Sequence, residues 1–202
     1  MWTLENNNKT KKGMIFVETK YNITELKNRY QTGEKLKYIF FWGHTPSKNG
    51  ITKSCFSQWY DCTFTADGVE YKTAEQYMMA QKALLFNDKK IYEEIMAASH
   101  PNEYKKLGRK ISNFNEEVWN AHKMQIVIQG NLAKFGQNKE LQEFLLQTGN
   151  RILVEASPYD KIWGIGLAAD TSDIENPATW RGENLLGFAL MEVREQLRSK
   201  NN

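Results

Sequence analysis

The sequence predicts an α+β fold: a mostly helical single domain built around a small β-sheet. Three observations carry this. Helix-start signatures recur along the chain, each a small polar residue followed by an apolar-periodic stretch. One continuous apolar run, Tyr38-Ile39-Phe40-Phe41-Trp42, ends at Gly43 and has the length of a buried strand. Asp67-Gly68 lies between two short segments and supplies the positive φ angles of a tight hairpin turn.

Taken in order, residues 1–13 are polar and lysine-rich and are expected to form a mobile tail. Ile15-Phe16-Val17 suits a short strand, and Asn22 with Glu25 opens a short helix to Tyr30. Residues 1–36 read as an N-terminal extension and 37–202 as the main domain. After the Tyr38 strand, Pro46 and Asn49-Gly50 mark a loop, and Phe64-Thr65 pairs with Val69-Glu70-Tyr71 across the Asp-Gly turn. Thr73 with Gln76 resembles a capping box and starts a helix to about Leu85. Asp88 caps a helix from Lys89 to Ala98, and Pro101 opens another ending near Arg109. Asn115 begins a longer helix through Lys134, and the helix from Asn138 to Gln147 stops at Gly149. Arg151 to Ala156 is alternating and strand-like. Trp163 to Trp180 is a long irregular loop, and Glu183 to Arg198 closes the chain as an amphipathic helix.

Composition narrows the function classes. With 202 residues, 41% hydrophobic and 12% aromatic, the chain can bury a substantial core. The net charge of +3 is too mild to argue for nucleic acid by itself, yet it does not oppose a phosphate-bearing ligand. No apolar run reaches membrane-spanning length and the first twelve residues hold no signal-peptide core. Cys55 and Cys62 make no disulfide framework, so the expectation is a cytoplasmic protein with free thiols and no membrane association. His44, His100 and His122 have no metal spacing, and no phosphate-binding glycine loop or nucleophile elbow is present. Neither a metal nor a cofactor is expected.

Two constellations carry candidate chemistry. Glu75, Met78, Met79 and Lys82 follow 3, 4 and 7 spacing, so they share one helical face. Burial of that face would desolvate Lys82, favour its neutral form and make it a nucleophile. The residues alone favour the plainer reading, a core-facing methionine stripe whose charged ends reach water. The second constellation is the late loop, with Asp160, Trp163-Gly164-Ile165-Gly166, Asp170 and Asp173, then Trp180-Arg181-Gly182 and Asn184. Glycine beside tryptophan allows close backbone approach to a ligand next to a stacking wall, and a carboxylate there can stabilise positive charge or activate water. A solvated connection is the equal alternative. Trp119 suits a core position as well as a stacking one, and Arg109 suits a helix cap as well as a phosphate grip.

Together these segments resemble the NADAR family, also called YbiA-like, from about Tyr38 to Arg198. Phe56-Ser57-Gln58-Trp59 is similar to that family's Phe-Ser-Asn-aromatic motif. The block from Tyr71 to Lys82 matches its glutamate helix, and Gly108-Arg109 precedes the helix carrying Trp119. Asp160 to Gly166, Gly182 to Gly187 and Leu190 to Glu195 match its C-terminal block. The resemblance implies a YbiA-like α+β fold and cleavage of an N-glycosidic bond in NAD or ADP-ribose metabolism. It points to Lys82, Glu75 and Asp160 as catalytic residues. Trp119, Arg109, Phe56, Ser57, Trp163, Gly164, Gly166, Asp170 and Asn184 would bind substrate.

The expected substrate is an ADP-ribose-containing nucleotide or ADP-ribosylated DNA, with ADP-ribose hydrolysed from guanine by way of a lysine Schiff base. Phosphorylated riboflavin-pathway N-glycosides, or a non-catalytic ADP-ribose-binding module, are the alternatives. Two positions depart from the family pattern. Gln58 stands where the family usually has Asn, which repositions a hydrogen bond. Ile165 replaces an Asp that some members carry after Trp-Gly, leaving Asp170 or Asp160 to supply that carboxylate. Lys48, Lys53, Lys105 and Lys106 are candidates for the positive rim that DNA would need.

Overall fold

A computed structural model describes residues 19–201 of the chain, excluding the side chain of Asn201. The expected tail at 1–13 and strand at Ile15-Phe16-Val17 lie outside the described residues. The described elements are α1 (Ile23–Gln31), β1 (Tyr38–Phe41), β2 (Phe64–Ala66), β3 (Val69–Tyr71) and α2 (Ala74–Leu85), then α3 (Lys89–Ala97) and α4 (Pro101–Gly108). They continue with α5 (Glu116–Gln137), α6 (Lys139–Gln147), β4 (Ile152–Glu155) and α7 (Leu185–Asn201). This is the expected helical α+β fold, with its strands in two separate pairs.

The local signals act as anticipated. Asn22, Thr73, Asp88 and Asn115 each accept a hydrogen bond from the third residue on, which starts α1, α2, α3 and α5. The capping box at Thr73 is modified: Gln76 Oε1 accepts from Lys72 N–H at 2.8 Å, while its amide donates to the Ile95 carbonyl of α3. Asp67 and Gly68 both have positive φ and close the β2–β3 hairpin in the register Phe64 to Tyr71. Leu26 places α1 in the same core as the rest, and the Lys20 N–H donates to the Glu192 carboxylate of α7. Both cysteines are free, and among the described residues no helix is long and apolar enough to cross a membrane.

The centre of the molecule is a parallel pair. Strand β1 lies beside β4, with Tyr38 opposite Ile152 and Phe41 opposite Glu155. Here burial differs from the pattern expectation. Strand β4, read as alternating, is buried at Ile152, Leu153 and Val154 in succession, because it is paired to β1 and packed under α7. The continuous apolar strand β1 is only half-buried before Phe41, since it is the edge.

The other edge of β4 is closed by the C-terminal loop. Asn184 Oδ1 accepts from Glu155 N–H at 3.0 Å, and Asn184 Nδ2 donates to the Leu153 carbonyl at 2.9 Å. Ile165 N–H donates to the Glu155 carbonyl. One turn into α7, a Cβ on Gly187 would stand 2.0 Å from the Leu153 carbonyl oxygen, so only glycine lets the helix seat on the strand. Gly187→Ala is therefore expected to lower unfolding free energy by about 2 kcal/mol or more. Urea denaturation checks this; an unchanged midpoint would show that the helix and strand can separate without cost.

Candidate active site

A cleft of about 830 Å³ opens beside the carboxyl ends of β1 and β4. Its walls come from four places: the Ser57-Gln58-Trp59 segment, one face of α2, the end of α4 with the start of α5, and the loop after β4. A buried amine holds the first wall. Lys134 Nζ donates to the Cys55 carbonyl at 2.6 Å and the Ser57 carbonyl at 2.9 Å, and burial pushes its pKa down to about 8.

Helix α2 is buried on every side through Ala80, so Glu75 is carried into the interior at only 4% exposure. Its backbone N–H donates to the Gln58 carbonyl at 2.9 Å, tying the helix start to the facing wall. Burial pushes its carboxyl pKa up to about 7, and the Asp160 charge adds to this. The Lys105 ammonium, a hydrogen bond from Trp59 and the Lys82 ammonium work in the opposite direction.

Two turns along, Lys82 is half-buried and lines the same cleft as Met78 and Met79. Its Nζ donates to the Gly108 carbonyl at 2.9 Å and lies 4.4 Å from the Phe114 ring centroid and 5.3 Å from that of Trp119. Desolvation and then the Arg109 guanidinium hold its pKa below the ordinary lysine range, with Glu75 opposing. The two ring faces favour the cation and so oppose that downward shift. Met78 and Met79 belong to the buried core and line the cleft as well, so the core stripe and the cleft wall are one face.

Asp160 enters from the loop after β4. Its Oδ1 accepts from Ile162 N–H at 2.9 Å and Trp163 N–H at 2.8 Å, so the carboxylate is oriented by its own turn. Trp119, Arg109, Ser57 and Trp163 line the cleft with it. Among the described residues no group of three or more His, Cys, Asp or Glu side chains could hold a metal ion.

A family model described as the NADAR domain matches residues 40–198. The chain belongs to the NADAR family. It is 47% identical over 165 residues to an N-glycosidase of Acanthamoeba polyphaga mimivirus, covering 79% of this chain and 96% of that one. It is 36% identical over 142 residues to N-glycosidase YbiA of Escherichia coli K12, covering 70% and 80% of the two chains. The NMR structure of the E. coli protein YbiA superposes with a TM-score of 0.66 at 32% identity, covering 82% of this chain and 87% of that one.

The NADAR motifs converge, but not every motif residue faces the cleft. Phe56 is sealed in the core, edge-on to Phe41 at 5.4 Å, and is not among the cleft-lining residues. Gly164 is packed on β4, where a Cβ would meet the Glu155 carbonyl oxygen at 2.9 Å; its close approach is to the strand. Gly166 has φ of 67° beside Arg181, Asn184 caps β4, and Asp170 is exposed away from the cleft. At the departure from the family pattern, Gln58 Oε1 accepts from Asn131 Nδ2 at 2.8 Å inside the wall. Ile165 is fully buried.

Other lining residues were not anticipated as site residues. Glu155 ends a strand that reads as core, and Trp59 stands in the sequence only as the aromatic of the Phe-Ser-Gln-Trp motif. Trp42 and Tyr159, 56% and 85% exposed, meet at the mouth with centroids 6.1 Å apart. Their spacing of over a hundred residues left no local signal. Of the four rim candidates, Lys105 lines the cleft, while Lys53 Nζ donates to the Phe40 carbonyl.

The raised Glu75 pKa makes stability depend on pH. Below pH 4.5 both folded and unfolded chains hold the proton. Between about 4.5 and 7 only the unfolded chain ionises, so stability falls as pH rises and the loss is complete above 7. Glu75→Gln is therefore expected to be more stable than wild type at pH 8, on the order of 2 kcal/mol, and to show no such gain at pH 4. Thermal melts at the two pH values measure it; an equal difference at both would remove the buried carboxylate as its cause.

Proposed function

We propose that this chain is an N-glycosidase that hydrolyses ADP-ribose from guanine N-glycosides, in nucleotides or in DNA, through a lysine Schiff base. The observation that carries the reading is the convergence of Lys82, Glu75 and Asp160 on one aromatic-walled cleft. Its volume of about 830 Å³ has room for a ligand of dinucleotide size. The names of the two N-glycosidase relatives support the reaction class. A module that only binds has no need of a desolvated amine and a buried carboxyl on one cleft wall.

In this mechanism, neutral Lys82 keeps one N–H on the Gly108 carbonyl and turns its lone pair to the anomeric carbon. The C1′–N bond breaks as the N–C1′ bond forms. The sugar ring then opens, C1′ becomes the carbon of a protonated Schiff base, and the ring oxygen takes a proton with help from Glu75. Water adds to that carbon and releases the sugar and the amine. Asp160, oriented by its turn, stabilises the cationic carbon; between it and Asp170, it is the one lining the cleft. Trp119 stacks on base or ribose, and Arg109 grips a phosphate.

Incubation with ADP-ribosylated guanosine under borohydride is expected to add one reduced ADP-ribosyl adduct to the wild-type intact mass. Lys82→Ala is expected to form none and to lose turnover by about a thousandfold or more. Wild-type turnover without an adduct would keep the glycosidase and discard the covalent lysine. Neither turnover nor adduct would move the reading to the phosphorylated ribosyl substrates or to a binding module.

A further inference from the structure

We infer that Glu155 is a second catalytic carboxyl of this cleft, the acid that protonates the departing base. The inference rests on the glycosidase reading above and assigns the proton that reading leaves without a donor. Glu155 is the last residue of β4, and its backbone has no freedom. The N–H is held by Asn184 Oδ1 at 3.0 Å and the carbonyl by Ile165 N–H at 2.9 Å. The side chain lines the cleft, yet its Oε2 is sealed from solvent and has no hydrogen-bond partner.

A structural carboxylate would have its sealed oxygen paired, because a carboxylate oxygen cut off from both water and a donor is costly when ionised. Its surroundings keep it protonated. Glu75 from α2 and Asp160 from the following loop present like charge, and Lys105 from α4 is the facing cation. Burial first, then Asp160 and Glu75, push its pKa up to about 8, with Lys105 opposing. A neutral carboxyl at physiological pH is a donor, and Glu155 lines the same cleft as Lys82, Glu75 and Asp160.

The step balances. As C1′–N breaks, its electron pair goes to the base nitrogen, which takes the Glu155 proton; Glu155 becomes a carboxylate and the base leaves neutral. When water later adds to the Schiff-base carbon, the proton it sheds returns to Glu155. One water is consumed, one base and one sugar are released, and the acid is restored. Glu75 is left to serve the ribose oxygens.

The test compares wild type with Glu155→Gln on ADP-ribosylated guanosine, as kcat and kcat/KM from pH 6 to 9.5, alongside thermal melts. Wild-type rate is expected to fall as pH rises through about 8, where this carboxyl ionises. Glu155→Gln is expected to lose about 100- to 1000-fold in kcat, to lack that alkaline limb, and to melt no lower than wild type at pH 9. Glu75 remains in the variant, so a limb that survives belongs elsewhere and overturns the assignment, as does a kcat within fivefold of wild type. A wild type inactive on every base N-glycoside removes this inference together with the reading beneath it; an active wild type with an unaffected variant removes this one alone. If the variant fails to fold, carbon-13 NMR titration of the wild-type carboxyl decides: titration below pH 5 overturns the assignment.

Discussion

The structure depends on how the second edge of β4 is closed. A parallel two-stranded pair leaves one edge of its buried strand with open N–H and carbonyl groups, and the interior does not tolerate them unpaired. Asn184 answers with a side-chain amide that accepts from Glu155 and donates to Leu153, acting as a short piece of missing strand. Its own φ of 56° falls in the left-handed region that Asn adopts more readily than most residues. Through Asn184 and Ile165 the long C-terminal loop is pulled onto the strand. That loop carries Asp160 and Trp163, so the bonds that complete the fold also build one wall of the cleft.

The opposite wall follows from the burial of α2. A helix surrounded on all sides imports whatever its sequence places on it, and this one brings Glu75 and Lys82. Desolvation then moves both toward neutrality: the carboxyl up, the amine down. Their mutual attraction resists this, as do Lys105 for Glu75 and the flanking rings for Lys82. The outcome is a carboxyl that titrates near neutral pH and an amine that holds its proton less tightly than an ordinary lysine. Lys134, at 0% exposure, fixes the facing segment by its two carbonyl contacts, so a buried cation stabilises a site it does not enter.

Much of this architecture was legible in the chain because the controlling interactions are local. A side-chain cap reaches three residues, a hairpin turn needs two residues of positive φ, and helical spacing puts Glu75 and Lys82 on one face whatever surrounds the helix. The burial of β1 and β4 was less legible, because apolar content does not say which strand lies at the edge. In the NADAR motifs, residue type alone could not separate positions that face the cleft from positions that hold it in place. Phe56, Gly164 and Asn184 hold the frame, while their near neighbours Ser57, Trp163 and Leu186 face the cleft. Successive residues on a strand or tight turn point in different directions, so motif membership does not settle orientation.

By itself the sequence determined where helices begin, where the hairpin turns, which residues ride together on α2, and which family the segments resemble. Those properties depend on residues within a few positions of one another, or on order along the chain. The tertiary structure alone decided that Glu155 shares a cleft with Glu75 and Asp160, and that Trp42 meets Tyr159 at its mouth. It also decided that the Lys82 amine lies close to the rings of both Phe114 and Trp119. These juxtapositions join segments separated by many tens of residues. Burial and low dielectric, which set the chemistry of a carboxyl or an amine, exist only once those segments have packed together.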